Sequence, residues 1–221
     1  MKKVLSTLLI IPTLSFAGSA LKTEKQKLSY TLGSQVGQLL KQQNVALDTK
    51  VLFEGIKDSL SGKKLKLTPA QIQEVLASLR NKQVSNKKNQ ALANLKAGKD
   101  FLVKNGKRKG IITLDNGVQY EILSKGDGKT HPKKSDKVTV HYEGKLISGK
   151  IFDSSYKRGE SISFPLNGVI KGWTETIPLM SVGSKWNIYI PSNLAYAERG
   201  AGGSIGPNET LIFKVELLGI N

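Results

Sequence analysis

The chain has 221 residues, with 34 Lys and Arg against 17 Asp and Glu, a net charge of +17, and no cysteine. Without cysteine there is no disulfide framework, no thiolate nucleophile, no cysteine metal site and no residue to carry a diacyl anchor. This length makes one large domain or two small ones. Charge favours two, because residues 21–110 carry 19 basic and 6 acidic side chains (+13) and residues 111–221 carry 13 and 11 (+2).

The first residues are Met1-Lys2-Lys3. An apolar run over residues 4–16 follows, broken only by Ser6, Thr7, Pro12, Thr13 and Ser15, and then Ala17-Gly18-Ser19-Ala20. A basic end, a short apolar core and small residues are the parts of a secretory signal. The run is shorter than the roughly 20 residues a spanning helix needs. The sequence predicts a signal peptide over residues 1–20, cut after Ala17 or Ala20. The mature chain is then expected in the periplasm or associated with the outer membrane.

Residues 21–109 are rich in Lys, Gln, Leu and Ala, and Pro69 is their only proline. Leu28, Leu32, Val36, Leu39 and Leu40 recur at steps of three and four and make one apolar helix face. A break follows over residues 44–48, with Asp48 as N-cap. Val51, Leu52, Phe53, Ile56 and Leu60 form a second amphipathic stretch, closed by Ser61-Gly62. Thr68-Pro69-Ala70-Gln71 starts a third helix, with Thr at the N-cap, Pro at the first position and Gln at the third. Ile72, Val75, Leu76 and Leu79 give its apolar face. Residues 80–90 are polar apart from Val84, and apolar residues return at Leu92, Leu95, Phe101 and Leu102. One long helix over residues 69–105, with a bare middle, fits this pattern. Two short helices and one face of a long one make a small core, which gains from oligomerisation. A homodimer through these helices is expected; the alternative is packing on the rest of the same chain. The basic charge is a solvated lysine surface or an attraction to anionic surfaces. Nucleic acid does not suit an exported chain, and arginine is scarce here, with Arg80 and Arg108 alone in this segment.

From Ile111 the apolar period becomes two, as half-buried strands require. Residues 111–114 and 118–123 flank Asp115-Asn116-Gly117, a hairpin signal. Val138, Val140 and Tyr142 alternate with polar neighbours. Residues 161–164, 185–190 and 211–218 read as further strands, and residues 169–176 as one short helix. The fold class is α+β, with an antiparallel sheet and the helix on one face. His131 lies in a loop, and His141 faces away from the side that Val140 and Tyr142 share. No Ser-His-Asp set, metal cluster or phosphate loop stands out.

An ordered series carries a resemblance. It runs Val140-His141-Tyr142-Glu143-Gly144, Gly149-Lys150-Ile151-Phe152-Asp153-Ser154-Ser155, Val169-Ile170-Lys171-Gly172-Trp173 and Met180-Ser181-Val182-Gly183. Ile190-Pro191 with Leu194-Ala195-Tyr196, Ile205-Gly206-Pro207 and Leu211-Ile212-Phe213 complete it. The series resembles the FK506-binding proteins, a family of peptidyl-prolyl cis/trans isomerases. Ser29-Tyr30-Thr31-Leu32-Gly33 and Phe53-Glu54-Gly55, followed by the long helix, resemble the dimerisation segment of its macrophage infectivity potentiator (Mip) branch.

The resemblance implies an antiparallel sheet wrapped around a short helix over residues 110–221, preceded by a dimerisation domain and linker helix over residues 21–109. It implies an apolar proline pocket of Tyr142, Phe152, Val169, Ile170, Trp173, Tyr196, Ile205 and Phe213, with Trp173 as the floor. The Tyr196 hydroxyl and the Ile170 N–H would donate to substrate carbonyls. Asp153 would sit near the turning bond, held by Arg158. Asp153, Tyr196 and Tyr142 form the expected catalytic group. The partners implied are proline-containing unfolded proteins and a macrolide of the FK506 type, with no cofactor. Two departures open the rim: Ile162 stands where the family often has an aromatic, and Ala201 where it often has a bulky residue. The competing reading is a dimeric, ATP-independent chaperone in which isomerisation is incidental.

Overall fold

The computed structural model describes residues 21–42 and 46–221, so the expected signal peptide lies outside the described residues. Two compact units divide the chain, one ending at Thr68 and the other Pro69–Asn221.

The first unit contains helices α1 (Glu24–Gln42) and α2 (Thr49–Leu60). A capping box starts α1: the Gln26 N–H donates to Thr23 Oγ1, and Gln26 Oε1 accepts from the Thr23 N–H. Asp48 caps α2 as expected, accepting from the N–H groups of Lys50 (2.9 Å) and Val51 (3.2 Å). Both helices leave their apolar faces uncovered: Leu28 is 61%, Leu32 54% and Phe53 65% exposed.

The second unit opens with α3 (Pro69–Asn105), whose 37 residues span about 55 Å at 1.5 Å per residue. Its bounds coincide with the sequence reading. Seven strands follow: β1 (Ile111–Thr113), β2 (Gln119–Lys125), β3 (Lys137–Leu146), β4 (Ile151–Ser154), β5 (Ile162–Pro165), β6 (Ser184–Ile190) and β7 (Leu211–Ile220). Helices α4 (Ser155–Arg158) and α5 (Lys171–Thr176) are short. The sheet order is β1-β2-β6-β7-β3-β4, with β5 also on β3, and every pairing is antiparallel. Val138, Val140, Tyr142 and Leu146 on β3 are buried with Ile188, Ile190, Phe213 and Val215, and α5 supplies Trp173 to the same core. The α5 helix starts two residues later than the expected 169. Val169 (ψ 179°) and Ile170 (ψ 145°) stay extended and lead the chain into the helix.

The end of α3 packs on the other face of the sheet. Asn105 is buried and donates to Gln119 Oε1 (2.9 Å), and Gln119 donates to the Leu102 carbonyl (2.9 Å). Phe101 meets Tyr189 at 5.9 Å between ring centroids. Gly98, inside the helix, lies against Thr210 so closely that a methyl group there would overlap its side chain.

Glycine within a helix costs about 1 kcal/mol relative to alanine, so Gly98→Ala would stabilise α3 if space allowed. We expect the reverse: overlap with buried Thr210 makes Gly98→Ala destabilising by about 1–3 kcal/mol. Adding Thr210→Ala should recover part of that loss. Thermal unfolding of the single and double variants checks this.

Candidate active site

The site begins with an interruption along one edge of β3. Val140 pairs with Ile162 of β5, and Glu143 pairs with Ser154 of β4. Between them the Tyr142 N–H has no strand to donate to, and Ser155 Oγ accepts it instead at 2.8 Å. Ser155 is fully buried and also lies 3.0 Å from His141 Nδ1. The chain then leaves the sheet as α4, which returns Arg158 to β4.

Neighbours on a strand normally point to opposite faces, yet Phe152 and Asp153 line the same cavity. Gly144 pairs with Asp153 while the next residue, Lys145, pairs with Ile151. Phe152 is therefore the extra residue of a β-bulge, which re-aims its ring. The ring rests where a Cβ on Gly144 would come within 2.6 Å of it.

The cavity holds about 480 Å³ and is lined by Tyr142, Phe152, Asp153, Ile162, Phe164, Gly168, Val169, Ile170, Trp173, Tyr196 and Phe213. Trp173 is the hub of the rings, 5.3 Å from Tyr142, 5.2 Å from Phe164 and 5.0 Å from Phe213 between centroids. The contacts with Tyr142 and Phe213 are edge-on, a geometry that adds about 0.5–1.5 kcal/mol per pair beyond burial. The Trp173 Nε1 is buried without a hydrogen-bond partner.

One carboxylate serves this apolar wall. Asp153 accepts from the Tyr142 hydroxyl on one oxygen and from Arg158 on the other, and Arg158 also donates to the Tyr142 hydroxyl at 3.3 Å. Burial pushes the Asp153 carboxyl up, but the bonds from Tyr142 and Arg158 and the guanidinium charge outweigh it. The net result lies below the usual carboxylate range. Burial, with the bond to Asp153, pushes the Tyr142 hydroxyl up. Among the described residues, two donors at the cavity have no partner, the Tyr196 hydroxyl and the Ile170 N–H.

Of the ten residues expected at the site, Tyr142, Phe152, Asp153, Val169, Ile170, Trp173, Tyr196 and Phe213 line this cavity, and Arg158 braces Asp153. Ile205 is the exception. It is buried in the core cluster and lines a neighbouring hollow with Tyr196, Arg199 and Ala201. Phe164 and Gly168 were missed. Phe164 shows in sequence only as one apolar residue of a short strand, and Gly168 carries no signal beyond its place before Val169.

Known proteins match both parts of the chain. Residues 128–218 match the model of the FKBP-type peptidyl-prolyl cis-trans isomerase, and residues 25–122 that of the domain amino terminal to it. The peptidyl-prolyl cis-trans isomerase Mip of Coxiella burnetii is 41% identical over 98% of this chain and 95% of its own. The chain belongs to the FKBP-type peptidyl-prolyl cis-trans isomerases. The outer membrane protein MIP of Legionella longbeachae is 42% identical over 91% of this chain and 88% of its own. The crystal structure of FkpA from Escherichia coli superposes with a TM-score of 0.68 at 37% identity, over 91% of this chain and 99% of that one. This isomerase also has the α+β order of that structure, helices first and sheet after. The chaperone alternative gains nothing from these matches.

The pH dependence follows from Asp153. Its folded pKa is lowered, so its contribution is complete above the ordinary value of about 3.9 and is lost as pH falls through the lower folded value. Isomerisation should therefore not change with Asp153 ionisation between about pH 5 and 8. Arg158→Leu should raise the Asp153 pKa, read by carboxyl carbon NMR titration.

Proposed function

We propose that the Trp173 cavity is where this isomerase turns X–Pro bonds in exported proteins. The observation that carries the reading is an apolar, ring-walled cavity with two unpaired donors and one fixed carboxylate at its edge. Rotation about a peptide bond meets a barrier of roughly 18–20 kcal/mol because the planar amide has partial double-bond character. At X–Pro bonds the uncatalysed event takes tens to hundreds of seconds. Planar amides are more polar than twisted ones, so removing water raises the ground state relative to the transition state. Proline sits on the Trp173 face between Tyr142, Phe152 and Phe213. The Ile170 N–H and the Tyr196 hydroxyl donate to carbonyls on either side and hold the chain while the bond turns. Asp153 lies by the turning carbonyl, oriented by Tyr142 and Arg158. No bond breaks, so neither nucleophile nor cofactor is called for. An FK506-type macrolide would compete for the same cavity.

The test is isomerisation of a short X–Pro peptide by the mature chain and by the double variant Tyr196→Phe, Asp153→Ala. We expect catalysis by the parent and a loss on the order of 10²-fold in the variant, the scale of removing a preorganised polar contact. A folded parent without activity would refute the reading.

The functional division we propose is a signal over residues 1–20, a helical arm and connecting helix over residues 21–109, and the isomerase over residues 110–221. The arm makes the protein a homodimer. Support comes from α1 and α2, whose groove is lined by Leu32, Val36, Leu40, Leu52, Phe53 and Ile56 with no apolar cover. Burying one such side chain gains about 1.5–3 kcal/mol. Val36→Glu with Phe53→Glu should convert a dimer to a monomer in sedimentation velocity while short-peptide isomerisation persists. We place the mature chain in the periplasm or at the outer membrane. The residue pattern of positions 1–20 and the similarity to an outer membrane protein of Legionella longbeachae support that location.

A further inference from the structure

Among the described residues, only two non-glycine positions have a left-handed backbone, Ala197 (φ 47°) and Asn208 (φ 55°). Both lie in the segment that leaves the cavity at Tyr196 and returns to the sheet at β7. They are joined directly, the Asn208 N–H donating to the Ala197 carbonyl at 2.7 Å. Asparagine enters this region readily, whereas alanine does so at a cost and stays only where its surroundings hold it.

That hold comes from α3. The Asn94 side chain on the helix donates to the Pro207 carbonyl at 2.8 Å. In the other direction, the Asn208 side chain donates to the Ala91 carbonyl of the helix at 3.4 Å. Thr210 then seats against Gly98, where no side chain intervenes. Pro207, Asn208 and Thr210 are all buried in this seam. Each amide side chain thus grips the backbone of the facing element, and Asn208, next to the gripped Pro207, is itself bonded to the residue that follows Tyr196.

We infer that Asn94 and Asn208 are positioning residues that set the Tyr196 hydroxyl over the cavity, making α3 part of the isomerase site. Neither touches the cavity, and neither is expected to touch substrate. Their effect passes from α3 through Pro207 and Asn208 to Ala197, and from there to Tyr196. This inference rests on the proposed role of Tyr196 as a donor.

The test is a double-mutant cycle in the full-length mature chain, with kcat/KM for a short X–Pro peptide as the readout. Asn94→Ala is combined with Tyr196→Phe, and Asn208→Gly is run in parallel. Glycine keeps the left-handed backbone and removes only the side-chain bond, so it carries the test if Asn94→Ala folds poorly. A misplacement near 1 Å can cost up to 10²-fold in rate, and we expect roughly 10-fold from either asparagine variant alone. In the Tyr196→Phe background the same changes should have little further effect, because the group they position is gone. In both asparagine variants, hydrogen exchange at the backbone N–H of position 208 should quicken. Equal losses in both backgrounds would mean a merely structural role and would overturn the inference. If Tyr196→Phe lowers activity while both asparagine variants match the parent, the inference fails and the site reading stands. If Tyr196→Phe leaves activity unchanged, the donor role fails, and the inference fails with it.

Discussion

The site depends on how β3 shares one of its edges. A single strand covering that edge would have paired its backbone groups without a break and left no opening. Instead β4 covers the segment around Glu143, β5 covers the segment from Lys137 to Val140, and the Tyr142 N–H falls between them. A buried N–H without a partner is costly, so the gap needs a substitute acceptor. The Ser155 hydroxyl is that acceptor. Its placement obliges the chain to leave the sheet at Ser154, turn through α4 and deliver Arg158 beside Asp153. One backbone hydrogen bond taken over by a side chain therefore fixes the charged pair of Asp153 and Arg158 at the cavity.

Around that pair the cavity stays apolar for a reason of energetics. A carboxylate at the edge of an apolar wall would ordinarily take up a proton to escape desolvation. Asp153 does not, because Tyr142 and Arg158 supply a donor for each oxygen and a neutralising charge. The Tyr142 hydroxyl is spent on this task, which separates it in role from Tyr196, whose hydroxyl is unpaired. Phe213, edge-on to Trp173, together with Phe152 and Phe164 keeps most of the remaining wall apolar. Such a wall gives little to a planar amide and more to a twisted one, which suits a reaction that makes and breaks no bond.

Much of this fold was legible in the sequence because it depends on local signals. Thr68-Pro69 and Asn105-Gly106 bound α3 to the residue, Asp48 capped α2, and the alternation of Val138, Val140 and Tyr142 marked the buried face of β3. What escaped depends on contacts distant in sequence. Phe152 and Asp153 share a cavity because of a bulge opposite Gly144, and nothing within β4 announces it. Phe164 reaches the site only because β5 pairs with β3 on the same edge as β4. Ile205 belongs to the right segment of chain, yet that segment turns back through paired Ala201–Ile205 backbone bonds, and Ile205 lines the neighbouring hollow instead. The short helix begins at Lys171 rather than Val169, because Val169 and Ile170 face the cavity from an extended backbone. The family resemblance named eight of the eleven residues that line the cavity, and the local pattern alone would have read the same rings as core.

The two units solve the problem of a small core in opposite ways. Residues 69–221 close their core within one chain. Strand residues of β3, β6 and β7 meet Trp173, Ile177 and Met180 there, and the end of α3 covers the far face of the sheet. The helices α1 and α2 have too few residues to surround their own leucines and leave them in water. An apolar face of that kind calls for something to cover it in water, and a second copy would supply an identical face. The catalytic unit therefore needs no partner to be folded, while the helical unit needs one to be buried. With the proposed dimer and the proposed site, this difference would let short-peptide isomerisation and dimerisation be lost separately, by changes at Trp173 or Asp153 on one side and at Val36 or Phe53 on the other.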